Sequence, residues 1–136
     1  DPETEIVLPL LETDLVEVIN ACVDARLDQI DVVFSRRSAV TVVLAAHGYP
    51  GAVRTGDVIS GLEDAVKLDA VAVFHAGTRL AEDGTVHSSG GRVLTVTSTG
   101  DSFEEARERA YAALDRIHMD GGQFRRDIGW RAAQEG

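Results

Sequence analysis

The clearest hydrophobic pattern in the chain lies between Arg92 and Thr99, where Val93, Thr95, Thr97 and Thr99 alternate with Leu94, Val96 and Ser98. A period of two sustained over that length predicts a β-strand. Ala70–His75 reads as another strand, and Ala39–Ala46, apolar on both faces, reads as a central one. Ile30–Phe34 predicts a shorter strand, followed by a turn at Ser35-Arg36-Arg37-Ser38. Asp83-Gly84 is a hairpin signal that joins a strand at Thr78–Ala81 to one at Thr85–Ser88. His47-Gly48-Tyr49-Pro50-Gly51 is rich in turn-formers and ends the strand before it. Val58–Leu68 is open between strand and helix, with Leu62, Ala65 and Val66 suited to a short helix.

Elsewhere the period is helical. Glu3–Leu11 follows it, with Pro9 as a kink or an early end because proline donates no backbone hydrogen bond. Thr13 or Asp14 can cap a second helix, whose apolar face would be Leu15, Val18, Ile19 and Cys22; Cys22 therefore reads as a core residue. Ser102-Phe103-Glu104-Glu105 is a capping box that opens a long helix, running to about His118. That helix carries Phe103, Ala106, Ala110, Leu114 and Ile117 on one face and a Glu105–Arg109 pair on the other. The tail Phe124–Trp130 is expected to pack back through its two aromatic residues. Together these elements predict an α+β chain: a helical segment to about residue 30, then a small antiparallel sheet with one long helix.

Composition narrows what such a chain can do. Its 136 residues suit one domain, or one domain and a fragment of another. With 44% hydrophobic and 26% charged residues it is globular in character. A net charge of −10 argues against nucleic acid or an anionic membrane as the main partner, since both require a basic face. Small phosphorylated ligands need only two or three local donors and stay compatible with it. Cys22 is the only cysteine, so there is no disulfide framework; a reducing compartment fits, with the cytoplasm as the default expectation. No apolar run approaches the ~20 residues of a membrane span. The chain opens on Asp1-Pro2-Glu3 without methionine, and the dense apolar run Ile6–Leu11 follows at once. That predicts either a processed chain or a piece of a longer polypeptide.

Most motifs that carry chemistry are absent from the sequence. The histidines at 47, 75, 87 and 118 are far apart, and no spacing suggests a metal site. There is no nucleophile elbow and no P-loop. The only lysine, Lys67, falls in the expected helix and not at a hairpin tip, which argues against a biotinyl or lipoyl carrier. Arg36-Arg37 and Arg125-Arg126 read as solvated pairs. What remains is a set of glycine elbows: Gly48–Gly51, Gly56, Gly77 and Gly90-Gly91. Each alone is accounted for by a turn that requires positive φ. Taken together, Gly77 follows His75 at one strand end and Gly90-Gly91 precedes Arg92 at the start of another. Bare amides beside an arginine and an imidazole can make a small anion-binding concavity.

Several stretches carry a resemblance. Asp1-Pro2-Glu3-Thr4 resembles the end of the R-F-G-D-P-E-T-Q signature of the phosphoribosylamine–glycine ligase (glycinamide ribonucleotide synthetase) family. "VVLAAHGYPGAVRTGDVISGLE" (42–63), "VFHAGTRL" (73–80), "GGRVLTVT" (90–97) and "RRDIGWRA" (125–132) resemble that family's C-terminal segments, in order and over essentially the whole chain. Glu5, Val53 and Ser88-Ser89 depart from the family pattern.

The resemblance implies the C-terminal part of an ATP-grasp ligase of purine biosynthesis. In that family ATP activates glycine as an acyl phosphate, which the amine of 5-phosphoribosylamine attacks, with magnesium or manganese on the nucleotide. It further implies that residues 1–34 end the ATP-grasp domain and that 35–136 form a barrel-like C-terminal domain closing over the substrate. The family's metal ligands and nucleotide clamp lie upstream of this chain, so no cofactor and no metal is expected on it alone. Its expected partners are glycine, 5-phosphoribosylamine, ATP and the missing part of the same protein, with no nucleic acid and no membrane. The residues expected on the substrate side are Gly77, Thr78, Gly90, Gly91 and Arg92, with Tyr49, Pro50 and Gly51 nearby. Asp1, Pro2 and Glu3 are expected at the glycine end. His75 would orient a substrate hydroxyl or cap its own strand. A free-standing binding module, or an assembly module that works with a separate ATP-grasp chain, is the alternative from another functional class.

Overall fold

The strand with the strongest alternation is also the deepest element. In the computed structural model, which describes residues 1–132, the strand Arg92–Gly100 (β6) carries six consecutive residues, Val93 to Ser98, that are each at most 1% exposed. A two-faced pattern of this kind normally marks one wet face. Here the threonine face is covered as well. Thr41 and Thr97 share a 2.6 Å hydroxyl contact, and Thr97 also donates to the Glu5 carbonyl at 3.0 Å, so the polar row lies dry beneath the first helix.

β6 is the middle of a three-stranded antiparallel sheet, between Ser38–Ala45 (β1) and Val71–His75 (β3). β1, expected to be central, is an edge strand. It is apolar on both faces because a helix covers Val40, Val42 and Leu44 on one side, while on the other Val43 and Ala45 line a groove bordered by the first helix and the chain's tail. That helix is Phe103–Leu114 (α4), and the expected capping box starts it: Ser102 Oγ accepts from the Glu105 amide at 3.1 Å, and Glu105 accepts from the Asp101 amide at 2.6 Å. Ala106, Ala110 and Ala113 are fully buried, letting the helix backbone come close to the sheet. Ser98 fixes the contact by donating to the Ala106 carbonyl. The Glu105–Arg109 pair forms at 2.6 Å. The helix stops short of His118, because His118–Met119 (β7) is drawn into a second sheet, although Ile117 stays in the core.

The second sheet has four short antiparallel strands in the order β4-β5-β2-β7, where β2 is Val58–Ser60, β4 is Thr78–Leu80 and β5 is Val86–Ser88. The small sheet expected from the sequence is thus divided into two. The hairpin at Asp83-Gly84 is formed, with Gly84 at φ +85° and Asp83 accepting from the Thr85 amide and hydroxyl. The ambiguous stretch resolves into β2 and a one-turn helix, Leu62–Ala65 (α3), separated by Gly61. Lys67 lies in the turn after α3 and pairs with Asp64 at 2.8 Å.

The first 37 residues are built differently. Glu3–Val7 (α1) passes into a tighter turn at Leu8–Leu10, and Asp14 caps Leu15–Val23 (α2) by accepting from the Val16 and Glu17 amides. Ala21 is the only buried residue of this segment. Cys22 is exposed and not part of the core, because the inward face of α2 runs through Val18 and Ala21, one position away from the expected stripe. Ile30–Phe34 makes no strand; a single bridge between Leu11 and Phe34 is all that pairs there. At the other end, Phe124 packs on the core as expected but Trp130 is 45% exposed, and Ile128 takes the inward place. The last residues of the unit expected at 35–136, residues 133–136, lie outside the described residues. Among the described residues no helix is long and apolar enough to cross a membrane.

Candidate functional site

The register between β1 and β6 slips by one residue near the end of β1: Leu44 pairs with Leu94, but Ala45 pairs with Arg92. Val93 is left over as a bulge, and such a residue re-aims its neighbours. Arg92 therefore sits on the face shared by Thr41, Val43 and Ala45, opposite Leu94. There its guanidinium lies 3.2 Å from the Asp1 carboxylate, both side chains partly exposed. The preceding glycine is roofed by an aromatic ring, since a Cβ on Gly91 would stand 2.7 Å from Tyr49 Cδ2. Asp1, Pro2, Tyr49, Gly91 and Arg92 thus meet at one corner. They adjoin a groove of about 510 Å³ whose walls include Val43, Ala45, Phe124 and Ile128.

Tyr49 is held on a turn that the sequence makes compact. Gly48 has φ +88°, where a Cβ would stand 2.0 Å from the Ala52 carbonyl oxygen, so only glycine fits. Gly51 donates back to the Gly48 carbonyl at 2.7 Å, and the Tyr49–Pro50 peptide is cis. The base of the loop is closed by Arg54, which bonds Asp57 at 2.9 Å and Asp120 at 2.6 Å. Those two carboxylates raise the Arg54 pKa above its ordinary value. Across the groove, Arg125 holds Asp127 in a two-pronged pair at 2.9 and 2.6 Å and lowers its carboxyl below the ordinary range.

The elbows are bare for a different reason than expected. A Cβ on Gly77 would stand 2.6 Å from the Arg92 carbonyl oxygen and 2.8 Å from Gly90 Cα. Gly77 and Gly90 are packed back to back, and their missing side chains make room for each other's backbone. The Gly77 amide donates to Arg92 O at 2.9 Å, so it is not a free donor for an anion. His75 is not brought to Arg92. It pairs in register with Leu94, on the opposite face, and its Nδ1 lies 3.0 Å from Thr78 Oγ1, closing its own turn. Glu3 is exposed on the first turn of α1 and lies outside the groove. Glu5 is half-buried, with Oε2 closed off from solvent and without a hydrogen-bond partner among the described residues.

Sequence reasoning missed Gln123, which stands between the Tyr49 turn and the tail, and it also missed Phe124 and Ile128 as groove walls. The available signal was position: Gln123 and Phe124 directly precede the quoted "RRDIGWRA" stretch. Among the described residues, no group of three or more His, Cys, Asp or Glu side chains is placed to hold a metal ion.

A three-stranded and a four-stranded antiparallel sheet, with one long helix on the larger strands, define a small α+β unit. The pattern of the phosphoribosylglycinamide synthetase C domain matches residues 39–131, and the chain belongs to that family. Along 99% of its length it is 46% identical to the chloroplastic phosphoribosylamine–glycine ligase of Arabidopsis thaliana, of which it covers 26%. It is 49% identical to the phosphoribosylamine–glycine ligase of Streptomyces coelicolor, over 98% of this chain and 32% of that one. A crystal structure of the phosphoribosylamine–glycine ligase of Thermotoga maritima superposes with a TM-score of 0.71 at 36% identity, covering 93% of this chain and 30% of that one. The chain therefore spans about a quarter to a third of the length of these relatives.

Proposed function

We propose that this chain is the C-terminal part of a phosphoribosylamine–glycine ligase and supplies substrate-side contacts for joining glycine to 5-phosphoribosylamine. The observation that carries the reading is the match to named ligases along nearly the whole chain, at 46% identity in the Arabidopsis case. In this reading residues 1–34 end an ATP-grasp domain, and residues 35–136 form the domain that closes over the substrate. The exposed apolar side chains of α2, among them Val16, Ile19 and Val23, are where the remainder of the ligase packs. ATP and its magnesium or manganese are left to the part of the ligase outside this chain.

The residues present suit a closing role. Arg92 offers a planar fork of donors to a phosphate or a ribose hydroxyl, and Asp1 holds that fork in place. In this reading the Tyr49 ring over Gly91 and the groove walls exclude water once the rest of the ligase closes on this corner, which is partly exposed in the chain alone. Water exclusion protects an acyl phosphate from hydrolysis while the amine attacks. Gly77 and Gly90 support this corner through backbone packing, and Thr78 bonds His75, which caps its strand.

The test is activity of the chain with and without the rest of the polypeptide. The ligase carrying this chain at its C-terminus should form glycinamide ribonucleotide from ATP, glycine and phosphoribosylamine, and residues 1–136 alone should not. Steady ADP release by the isolated chain, dependent on both substrates, would sink this reading.

A further inference from the structure

The "RRDIGWRA" stretch lends the groove one wall, Ile128, and the structure straps it tightly to the outer side of α4. Tyr111 Oη donates to the Arg125 carbonyl at 2.7 Å and accepts from the Ile128 amide at 3.1 Å. Arg107 donates to the carbonyls of Ile128 at 3.0 Å and Arg126 at 2.9 Å. Gly129 completes the strap at φ +70°, since a Cβ there would stand 2.3 Å from the Phe103 ring. This many bonds to the backbone of a surface tail fix its path whatever side chains it carries.

What the strap holds in place is Gln123. Its backbone makes a two-way bridge with Ala45, at 2.8 and 2.9 Å, at the open edge of β1. Its side-chain amide then reaches across and donates to the Tyr49 carbonyl at 2.9 Å and the Ala46 carbonyl at 3.3 Å. Those two carbonyls bracket the start of the turn that places the Tyr49 ring on Gly91. A second tie comes from Arg54, which joins the far end of the same loop to Asp120, three residues before Gln123. The loop is therefore bonded at both ends to the segment that the strap fixes.

We propose that Gln123 is a positioning residue: anchored by the tail strap, its side-chain amide sets the Tyr49–Pro50 turn and, through the Tyr49 ring on Gly91, the backbone that presents Arg92. This rests on the reading that the Tyr49–Arg92 corner faces the substrate. An amide donor shared by two carbonyls loses both bonds when replaced by an apolar side chain of the same length, while the backbone bridge to Ala45 is untouched.

The experiment uses the full-length ligase carrying this chain and compares Gln123→Met with Arg92→Ala and the unaltered protein. Three measurements are made: steady-state kinetics for phosphoribosylamine and for ATP, melting temperature, and hydrogen exchange of the amides of residues 46–54. Gln123→Met should raise the KM for phosphoribosylamine about tenfold, leave the KM for ATP within about twofold, and speed loop exchange while the melting temperature falls only slightly, as the lost bonds require. Unchanged loop exchange in Gln123→Met overturns the clamp. Faster exchange with an unchanged KM, while Arg92→Ala still raises the KM, overturns the positioning role and leaves the substrate corner standing. Faster exchange with neither variant moving the KM places the failure in the substrate reading, and the positioning role falls with it.

Discussion

Residues 1–37 and residues 38–132 are both rich in apolar side chains, but they use them in opposite ways. In the first region Ala21 is the only buried residue, and Val16, Ile19 and Val23 are 64%, 51% and 79% exposed on one side of α2. Its order comes from polar and turn devices: the Asp14 cap, the tight turn at Leu8–Leu10 and Thr13 bonded to Val33. In the second region Leu94, Val93 and Val96 are completely enclosed between α4 and the threonine row under α1. The lesson is that helical periodicity reports a face that wants cover, and says nothing of whether this stretch of chain supplies the cover.

The sharpest way to break that comparison is to truncate one residue in each region. Leu94→Ala should destabilise the protein by about 2–5 kcal/mol, the range for an enclosed leucine whose cavity cannot collapse. Ile19→Ala should fall within about 0.5 kcal/mol of the parent, as exposed substitutions do. Urea unfolding of both variants decides it, and similar losses would mean that α2 is covered in solution.

A smaller effect is expected where the two elbows meet. Gly77→Ala would place a methyl 2.6 Å from the Arg92 carbonyl oxygen and 2.8 Å from Gly90 Cα, so the backbone must shift. The expected loss is about 1–3 kcal/mol, the usual scale of overpacking. Thermal melts of the variant check it; a neutral result would show that the elbows are not in contact.

The smallest effect concerns the Asp83-Gly84 hairpin. Hydrogen bonds from the Thr85 hydroxyl and amide lower the Asp83 pKa below its ordinary 3.8. A depressed carboxyl contributes stability that is present above the unfolded pKa and lost as pH falls through the folded one. The hairpin should therefore be intact at neutral pH and begin to loosen only below pH 3.8. The Thr85 amide chemical shift, followed during acid titration, should move in that window; movement well above it would contradict the bonding.

Much of this fold was legible where local chemistry decides structure. The S-x-x-E box, the Asp-Gly hairpin and the alternating run of β6 each act within a few residues, and each is formed. What the sequence could not carry was the identity of the covering element. β1 read as central because both faces are apolar, but its outer edge is met by the tail at a single bridge, Ala45 to Gln123, and not by a neighbouring strand. Cys22 and Trp130 read as buried from spacing and aromaticity, yet the partners they would need are not provided by the described residues. At the site, Gly91 and Arg92 were legible as a glycine elbow beside a donor, whereas Tyr49 was placed near them only by the family resemblance. Gln123 was not, because a single glutamine carries no pattern and its two acceptors lie 74 and 77 residues away.

The most direct measurement of the central claim is the kinetics of Arg92→Ala in the full-length ligase, with its melting temperature. If Arg92 presents its fork to the substrate, binding of phosphoribosylamine should weaken by about 2–3 kcal/mol, the scale of a lost charge-assisted hydrogen bond. That corresponds to roughly a 30- to 160-fold fall in kcat/KM for that substrate. ATP binding should hardly change, since the nucleotide is assigned to other parts of the protein. The opposite result is as specific: an unchanged KM for phosphoribosylamine with a lowered melting temperature would mean that Arg92 only ties Asp1 to the sheet, and that the substrate corner lies elsewhere.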